Sequence, residues 1–386
     1  MAAVSADPRR RHLVRRRRQR LAAGALAAFA AGAIAGAAGG GDGASPPSDR
    51  AAAPTAERER ERAATRAVDT LSLRQQVGHL IVLRFAGTSP PGYVRRVLGE
   101  GRAAGAIVFR DNITGPGQLR ALTAALRRAD RSALVCVDQE GGDVRNLPWA
   151  PPERSAAEQA AAGTVRGDAR AAGRALRAAG IDVVLAPVAD VPTVTGAALA
   201  GRAFSPDPEA AAAAVADAVR GWREARVAPT AKHFPGLGGT TVNTDDGPAT
   251  IERSAAELEA DLAPFRAAVT AGVPLVMAGH ATYPALDPEH IASQSPAAMA
   301  LLRGRLGFRG VIVTDSLEAA AVQAVTDVRE AAVASVSAGV DLVLTTGRGS
   351  YIHVRRALMA VAKADPAFRA RVRDSAARVV ALQRAF

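Results

Sequence analysis

Val227-Ala228-Pro229-Thr230-Ala231-Lys232-His233-Phe234-Pro235-Gly236-Leu237-Gly238 is an apolar run that stops at a Lys-His pair and becomes a Pro/Gly-rich loop. Apolar residues without polar alternation describe a strand buried on both faces. Titratable groups at the C-terminal end of such a strand, followed by a glycine loop, are how a parallel barrel builds the rim of an active site.

Seven further runs share this character: Gly78 to Phe85, Gly105 to Arg110, Ala133 to Asp138, Ile181 to Pro187, Val273 to His280, Gly310 to Asp315 and Val340 to Thr345. Ala/Arg/Glu-rich helical stretches separate them. Eight buried strands alternating with helices predict an α/β fold, a (β/α)8 barrel. A doubly wound open sheet is the competing arrangement, and no G-x-G-x-x-G follows the first strand to support it. Several runs lead into polar residues that a barrel would gather on one face: Asp138-Gln139-Glu140, Asp190, Lys232-His233, His280 and Thr314-Asp315-Ser316. Ser316-Leu317-Glu318-Ala319 reads as a helix start, for which Asp315 could equally be a simple cap.

Composition agrees with such a core. Of 386 residues, 48% are hydrophobic and only 4% aromatic, so the interior is built from Ala, Val and Leu. The net charge of +12 is uneven, since residues 1–20 alone contribute +7. No basic helix is interleaved with aromatics, which argues against nucleic-acid binding. After the Arg cluster, Leu21 to Ala38 is uncharged and apolar, then Gly39-Gly40-Gly41 follow. That order is an export pattern: either a cleaved signal, of the twin-arginine kind, or an uncleaved membrane tether, with an exported or wall-associated protein in both cases. Cys136 is the only cysteine, so no intramolecular disulfide forms and no lipid-bearing cysteine follows the apolar run. The organisation expected is a basic and apolar segment over 1–38, a flexible linker over 39–66 ending in a charged helix, and one barrel domain over 67–386. His12, His79, His233, His280, His290 and His353 have no metal-ligand spacing, and there is no P-loop, so neither metal nor cofactor is expected.

Within this frame, Lys232-His233-Phe234-Pro235-Gly236 and Gly238 resemble the K-H-F-P-G-H-G-x4-D-S-H signature of glycoside hydrolase family 3, in particular its single-domain β-N-acetylhexosaminidases. Val137 to Gly142, Gly201 to Ser205, Val276 to His280 and Gly307 to Leu317 are similar to further blocks of that family. The resemblance covers nearly all of residues 70–386. It implies Asp315 as nucleophile, with Asp138, Arg202, Lys232 and His233 on the sugar and His280 beside them. Carboxylate attack on an anomeric carbon gives a glycosyl-enzyme intermediate. Charged side chains supply the directional hydrogen bonds that hold a polyhydroxylated ring.

The departures fall in the loop and after the third run. Leu237, Asn243 and Asp245 replace His, Asp and His of the signature, removing the Asp/His acid/base dyad. Asp245 is the candidate replacement, although a loop Asp needs burial or a neighbouring carboxylate to raise its pKa for that work. Asn146 stands where many members carry a substrate-contacting Arg, with Arg145 as its alternative. The resemblance thus implies a retaining exo-glycosidase acting on β-linked N-acetylhexosamine in peptidoglycan-derived glycan or chitin oligosaccharides. The alternatives are a catalytically degenerate glycan-binding protein of the same fold, and an altered enzyme such as a glycoside phosphorylase.

Overall fold

The computed structural model describes residues 52–386. The expected signal or anchor over 1–38 lies outside the described residues. Eight parallel strands close a barrel: β1 Ile81–Arg84, β2 Gly105–Ile107, β3 Leu134–Val137, β4 Val183–Val184, β5 Ala228–Phe234, β6 Leu275–Ala278, β7 Val311–Ser316 and β8 Leu342–Thr345. Each falls on one of the eight apolar runs, with β5 and β7 extending one residue past the ends expected at His233 and Asp315. Sequence neighbours pair in order, and Ile81 opposite Val343 closes the ring between β1 and β8. An open doubly wound sheet is thereby excluded.

The strands obey a period of two. Val82, Leu134, Cys136, Ala228, Leu275, Met277, Val311, Val313, Leu342 and Leu344 form one buried cluster with Val379 and Leu382 of the C-terminal helix Pro366–Ala385. Their strand neighbours Ile81, Leu83, Val135, Val137, Ala231, Val276, Ile312 and Val343 belong to a second, larger cluster with the helices. Continuing the first alternation upward gives Leu134, Cys136, Asp138; Ala228, Thr230, Lys232; and Val311, Val313, Asp315. The charged residues therefore occupy the next step of the lumen-facing rows, above a buried, mostly apolar stack.

Two strands break register where chemistry begins. On β5 the pairing to β6 shifts between Ala231 and Phe234, across Lys232-His233. On β7 the pairing to β8 shifts between Val313 and Ser316, across Thr314-Asp315. Such irregularities re-aim side chains at strand ends. The expected helix start at Ser316 is instead the end of β7; a turn follows, and the next helix begins at Ala320.

At the opposite end, the segments Ala179-Gly180-Ile181-Asp182-Val183-Val184-Leu185 and Ala338-Gly339-Val340-Asp341-Leu342-Val343-Leu344 repeat one pattern half a barrel apart. Asp182 accepts the N–H of Val135 on β3 at 3.1 Å and pairs with Arg127 at 2.6 Å. Asp341 accepts the N–H of Ile312 on β7 at 3.0 Å and pairs with Arg303, Arg371 and Arg378. Each carboxylate ties the base of its own strand to the preceding one.

The helix Ala52–Asp69 spans the second part of the segment expected as linker. Ala64 and Val68 are fully buried in the outer core, and Asp69 pairs with Arg373 of the C-terminal helix at 2.6 Å. The expected boundary at residue 66 thus falls inside a packed helix. Its Arg/Glu-rich sequence shows so few apolar residues that the buried stripe was not legible. Among the described residues no helix is long and apolar enough to cross a membrane.

Candidate active site

Lys232, at the top of β5, is almost fully buried and sits between two carboxylates, with Nζ 2.7 Å from Asp138 and 2.6 Å from Glu140. Burial opposes its charge, but Asp138 and Glu140 outweigh that and raise its pKa. Arg202 completes the cluster by holding Glu140 with both arms of its guanidinium, Nε at 2.9 Å and Nη2 at 2.7 Å. For Glu140, burial raises the pKa, while Lys232 and Arg202 together bring it down to about 2. Paired in this way, two cations and two carboxylates can remain ionised in a desolvated mouth. Glu140 belonged to the quoted Asp-Gln-Glu stretch without a role; its place on a short hairpin, Gln139–Gly141 with Val144–Arg145, turns it toward Arg202.

His233 faces the other way across the mouth. Nδ1 is 2.7 Å from Asp190, and Nε2 is 3.7 Å from the Asp315 carboxylate. Asp315 takes the backbone N–H of Ser316 at 2.7 Å. Burial pushes its carboxyl up, but the neighbouring His233 and that N–H outweigh it and hold the pKa below the ordinary range. A group kept ionised here can act as a nucleophile or as a counter-charge to a cationic transition state.

The loop after β5 is fixed at several points. Leu237, standing where the signature has His, is buried, and its N–H reaches Asp190 at 2.6 Å. A Cβ on Gly238 would lie 1.7 Å from the Val191 carbonyl oxygen, so only glycine fits. Further on, Asn243 accepts the N–H of Asp245 at 3.1 Å in an Asx turn. The carbonyls of Thr244 and Asp245 then accept the N–H groups of Ala321 and Ala320 at 3.1 and 3.2 Å. Asp245 retains solvent exposure. Partial desolvation, followed by the charge of Asp315, raises its carboxyl above the ordinary range.

Two expected sugar contacts are otherwise engaged. Asn146 donates its amide to the Asp138 carbonyl at 2.8 Å, steadying the hairpin that carries Glu140. His280 is fully buried; Nε2–H donates to the Ser316 carbonyl at 3.0 Å, and Nδ1 meets the Ser293 hydroxyl at 2.8 Å. Burial holds its pKa below the ordinary histidine value. It braces the top of β7 rather than opening onto the mouth. Among the described residues no group of three or more His, Cys, Asp or Glu is placed to hold a metal ion.

Residues 72–382 match the model of the glycosyl hydrolase family 3 N terminal domain. A β-hexosaminidase of Stenotrophomonas maltophilia is 36% identical over 277 residues, covering 69% of this chain and 82% of that protein. Among solved structures, a family 3 β-N-acetylglucosaminidase from Paenibacillus superposes with a TM-score of 0.78 at 34% identity, over 82% of this chain. The chain spans 63% of that longer protein. A β-N-acetylhexosaminidase from Beutenbergia cavernae gives a TM-score of 0.75 at 33% identity, covering 81% of this chain and 98% of the other. With a closed barrel whose lumen-facing rows end in Asp138, Lys232 and Asp315, the chain belongs to glycoside hydrolase family 3 and is a glycoside hydrolase.

Proposed function

We propose that the chain is an exported, retaining exo-β-N-acetylhexosaminidase that trims peptidoglycan-derived glycan or chitin oligosaccharides. Asp315 attacks the anomeric carbon, forming an ester as the glycosidic C–O bond breaks. Asp245 gives its proton to the departing oxygen. In the second step Asp245, now a carboxylate, takes a proton from water, the water oxygen bonds to the anomeric carbon, and Asp315 leaves. Asp138, Arg202, Lys232 and His233 hold the sugar through its hydroxyls.

The observation that carries this reading is the pairing of opposite electrostatic settings. Asp315 is held ionised while Asp245, on a loop hydrogen-bonded to the segment just after Asp315, is pushed toward protonation. Two carboxyls with pKa values driven apart are what an acid and a nucleophile need. The relatives named β-hexosaminidase support the sugar class, and the apolar run over 21–38 supports export. A glycan-binding protein without turnover is the second reading, favoured by Asn243 and Asp245 in place of the family dyad.

The deciding experiment offers a nitrophenyl N-acetyl-β-glucosaminide and an unactivated N-acetylglucosamine disaccharide to the full chain and follows the first-formed anomer by NMR. Release from both with the β-anomer formed first is expected. Binding without release moves the protein to the second reading, and an α-anomer formed first rules out retention.

A further inference from the structure

Asp190, just past β4, is 1% exposed, and both of its carboxylate oxygens are engaged by one neighbourhood. Oδ1 accepts the backbone N–H groups of His233 at 3.1 Å and Leu237 at 2.6 Å. Oδ2 is 2.7 Å from His233 Nδ1. A carboxylate so engaged can only accept, so the proton in the last contact belongs to Nδ1. The other ring nitrogen, Nε2, then faces Asp315 at 3.7 Å.

We propose that Asp190 is a positioning residue that fixes His233 in the Nδ1–H tautomer and aims Nε2 at Asp315, an inference that rests on the glycosidase reading above. In neutral His233 the Nε2 lone pair accepts from a sugar hydroxyl. In the cation it donates toward Asp315, favouring that carboxylate as the leaving group when the intermediate breaks down. The reverse tautomer would place a fixed N–H at Nε2 and remove the first option. The titratable and charged groups around His233 are Asp190 from the segment after β4, Lys232 on β5, His280 after β6, Asp315 on β7, Asp245 on the loop and Arg202 across the mouth. Asp190 alone among them contacts Nδ1 in the structure, so the tautomer is its assignment.

The test is Asp190→Asn in the full chain. The amide keeps an oxygen for the two backbone N–H groups and presents NH2 to Nδ1, which forces the proton onto Nε2. In ¹⁵N spectra of imidazole-labelled protein, with His233 identified by its loss in His233→Gln, wild type is expected as the Nδ1–H tautomer and Asp190→Asn as the Nε2–H tautomer. With the nitrophenyl substrate, kcat should fall about 10- to 100-fold with the melting transition retained. In a His233→Gln background the same change should cost almost nothing further. Wild-type His233 in the Nε2–H form overturns the inference without any variant, even if Asp190→Asn fails to fold. An equal loss in the His233→Gln background also overturns it, because Asp190 would then act through the Leu237 loop. Should wild type turn over nothing, the glycosidase reading fails by itself, while the spectra still decide the tautomer.

Discussion

The carbonyl of Asp245 accepts the N–H of Ala320, five residues beyond Asp315, at 3.2 Å. A loop with Asn243 and Asp245 in place of the family signature's Asp and His is therefore still pinned by its backbone to the segment that follows Asp315, the proposed nucleophile. Desolvation raises the Asp245 carboxyl most, and the charge of Asp315 adds to it.

For Asp245 this gives a signed pH effect. Its folded-state pKa is raised, first by desolvation and then by Asp315. The contribution to stability is therefore present below the ordinary Asp value and is lost as pH rises through the raised one. The alkaline limb of kcat/KM should follow the same group. Asp245→Ala should flatten that limb and slow the unactivated disaccharide far more than the nitrophenyl glycoside, with azide restoring breakdown of the intermediate. Equal, few-fold effects on both substrates would mark the loop as a turn only.

Asp315→Asn should abolish turnover by about three orders of magnitude or more, because the amide cannot form the ester. The melting temperature should hardly move, since Asp315 lies at a strand end with one internal hydrogen bond, to Ser316. Single-turnover kinetics and a thermal melt of the same preparation check both halves.

Glu140 supplies the opposite sign. Its pKa is lowered from 4.5 to about 2, so the stability it contributes is present above the ordinary value and lost as pH falls toward 2. The shift corresponds to about 3 kcal/mol at neutral pH, as an order of magnitude for a coupled buried cluster. Glu140→Gln should lower the urea midpoint at pH 7, and the gap from wild type should narrow below about pH 4.

A chain beginning at Ala52 should melt as cooperatively as the full chain. One beginning at Thr70 should melt about 5 °C lower, because it loses the fully buried Ala64 and Val68, worth about 2–3 kcal/mol. Calorimetry of the two decides whether the helix Ala52–Asp69 belongs to the domain.

Asp341→Asn leaves Arg303, Arg371 and Arg378 without their shared carboxylate at the base of β8. Stability should drop by about 3–5 kcal/mol, while kcat at 25 °C stays near wild type. Denaturant unfolding and steady-state kinetics separate the two.

The barrel was legible because buried parallel strands write themselves as uninterrupted Val/Ile/Leu runs, and all eight survive in the structure. Lys232, His233 and Asp315 were legible as polar ends of those runs. What pairs with them was not. The ties of Asp190 to His233 and of Glu140 to Arg202 span 43 and 62 residues and depend on loop paths that no local pattern encodes. Nor could the sequence show that the side chains of Asn146 and His280, expected on the sugar, bond the Asp138 and Ser316 carbonyls. A charged helix was expected at the end of the linker, but the packing of Ala52–Asp69 onto the barrel was not, because its buried Ala64 and Val68 lie amid a run of Arg and Glu.

The matched carboxylates at the base of β4 and β8 give the molecule two nearly independent genetic ledgers. Changes around Asp182 and Asp341 should be scored by how much folded protein a cell accumulates, changes at Asp138 and Asp315 by what each folded molecule does, and changes at Glu140 by both. The apolar stack between them, from Leu134 and Cys136 to Val311 and Val313, insulates one from the other. With Glu140 and its partners Lys232 and Arg202 left in place, a library confined to the loops above that stack could therefore explore new sugars without first being stabilised, whereas one that strays below it would mostly sample abundance.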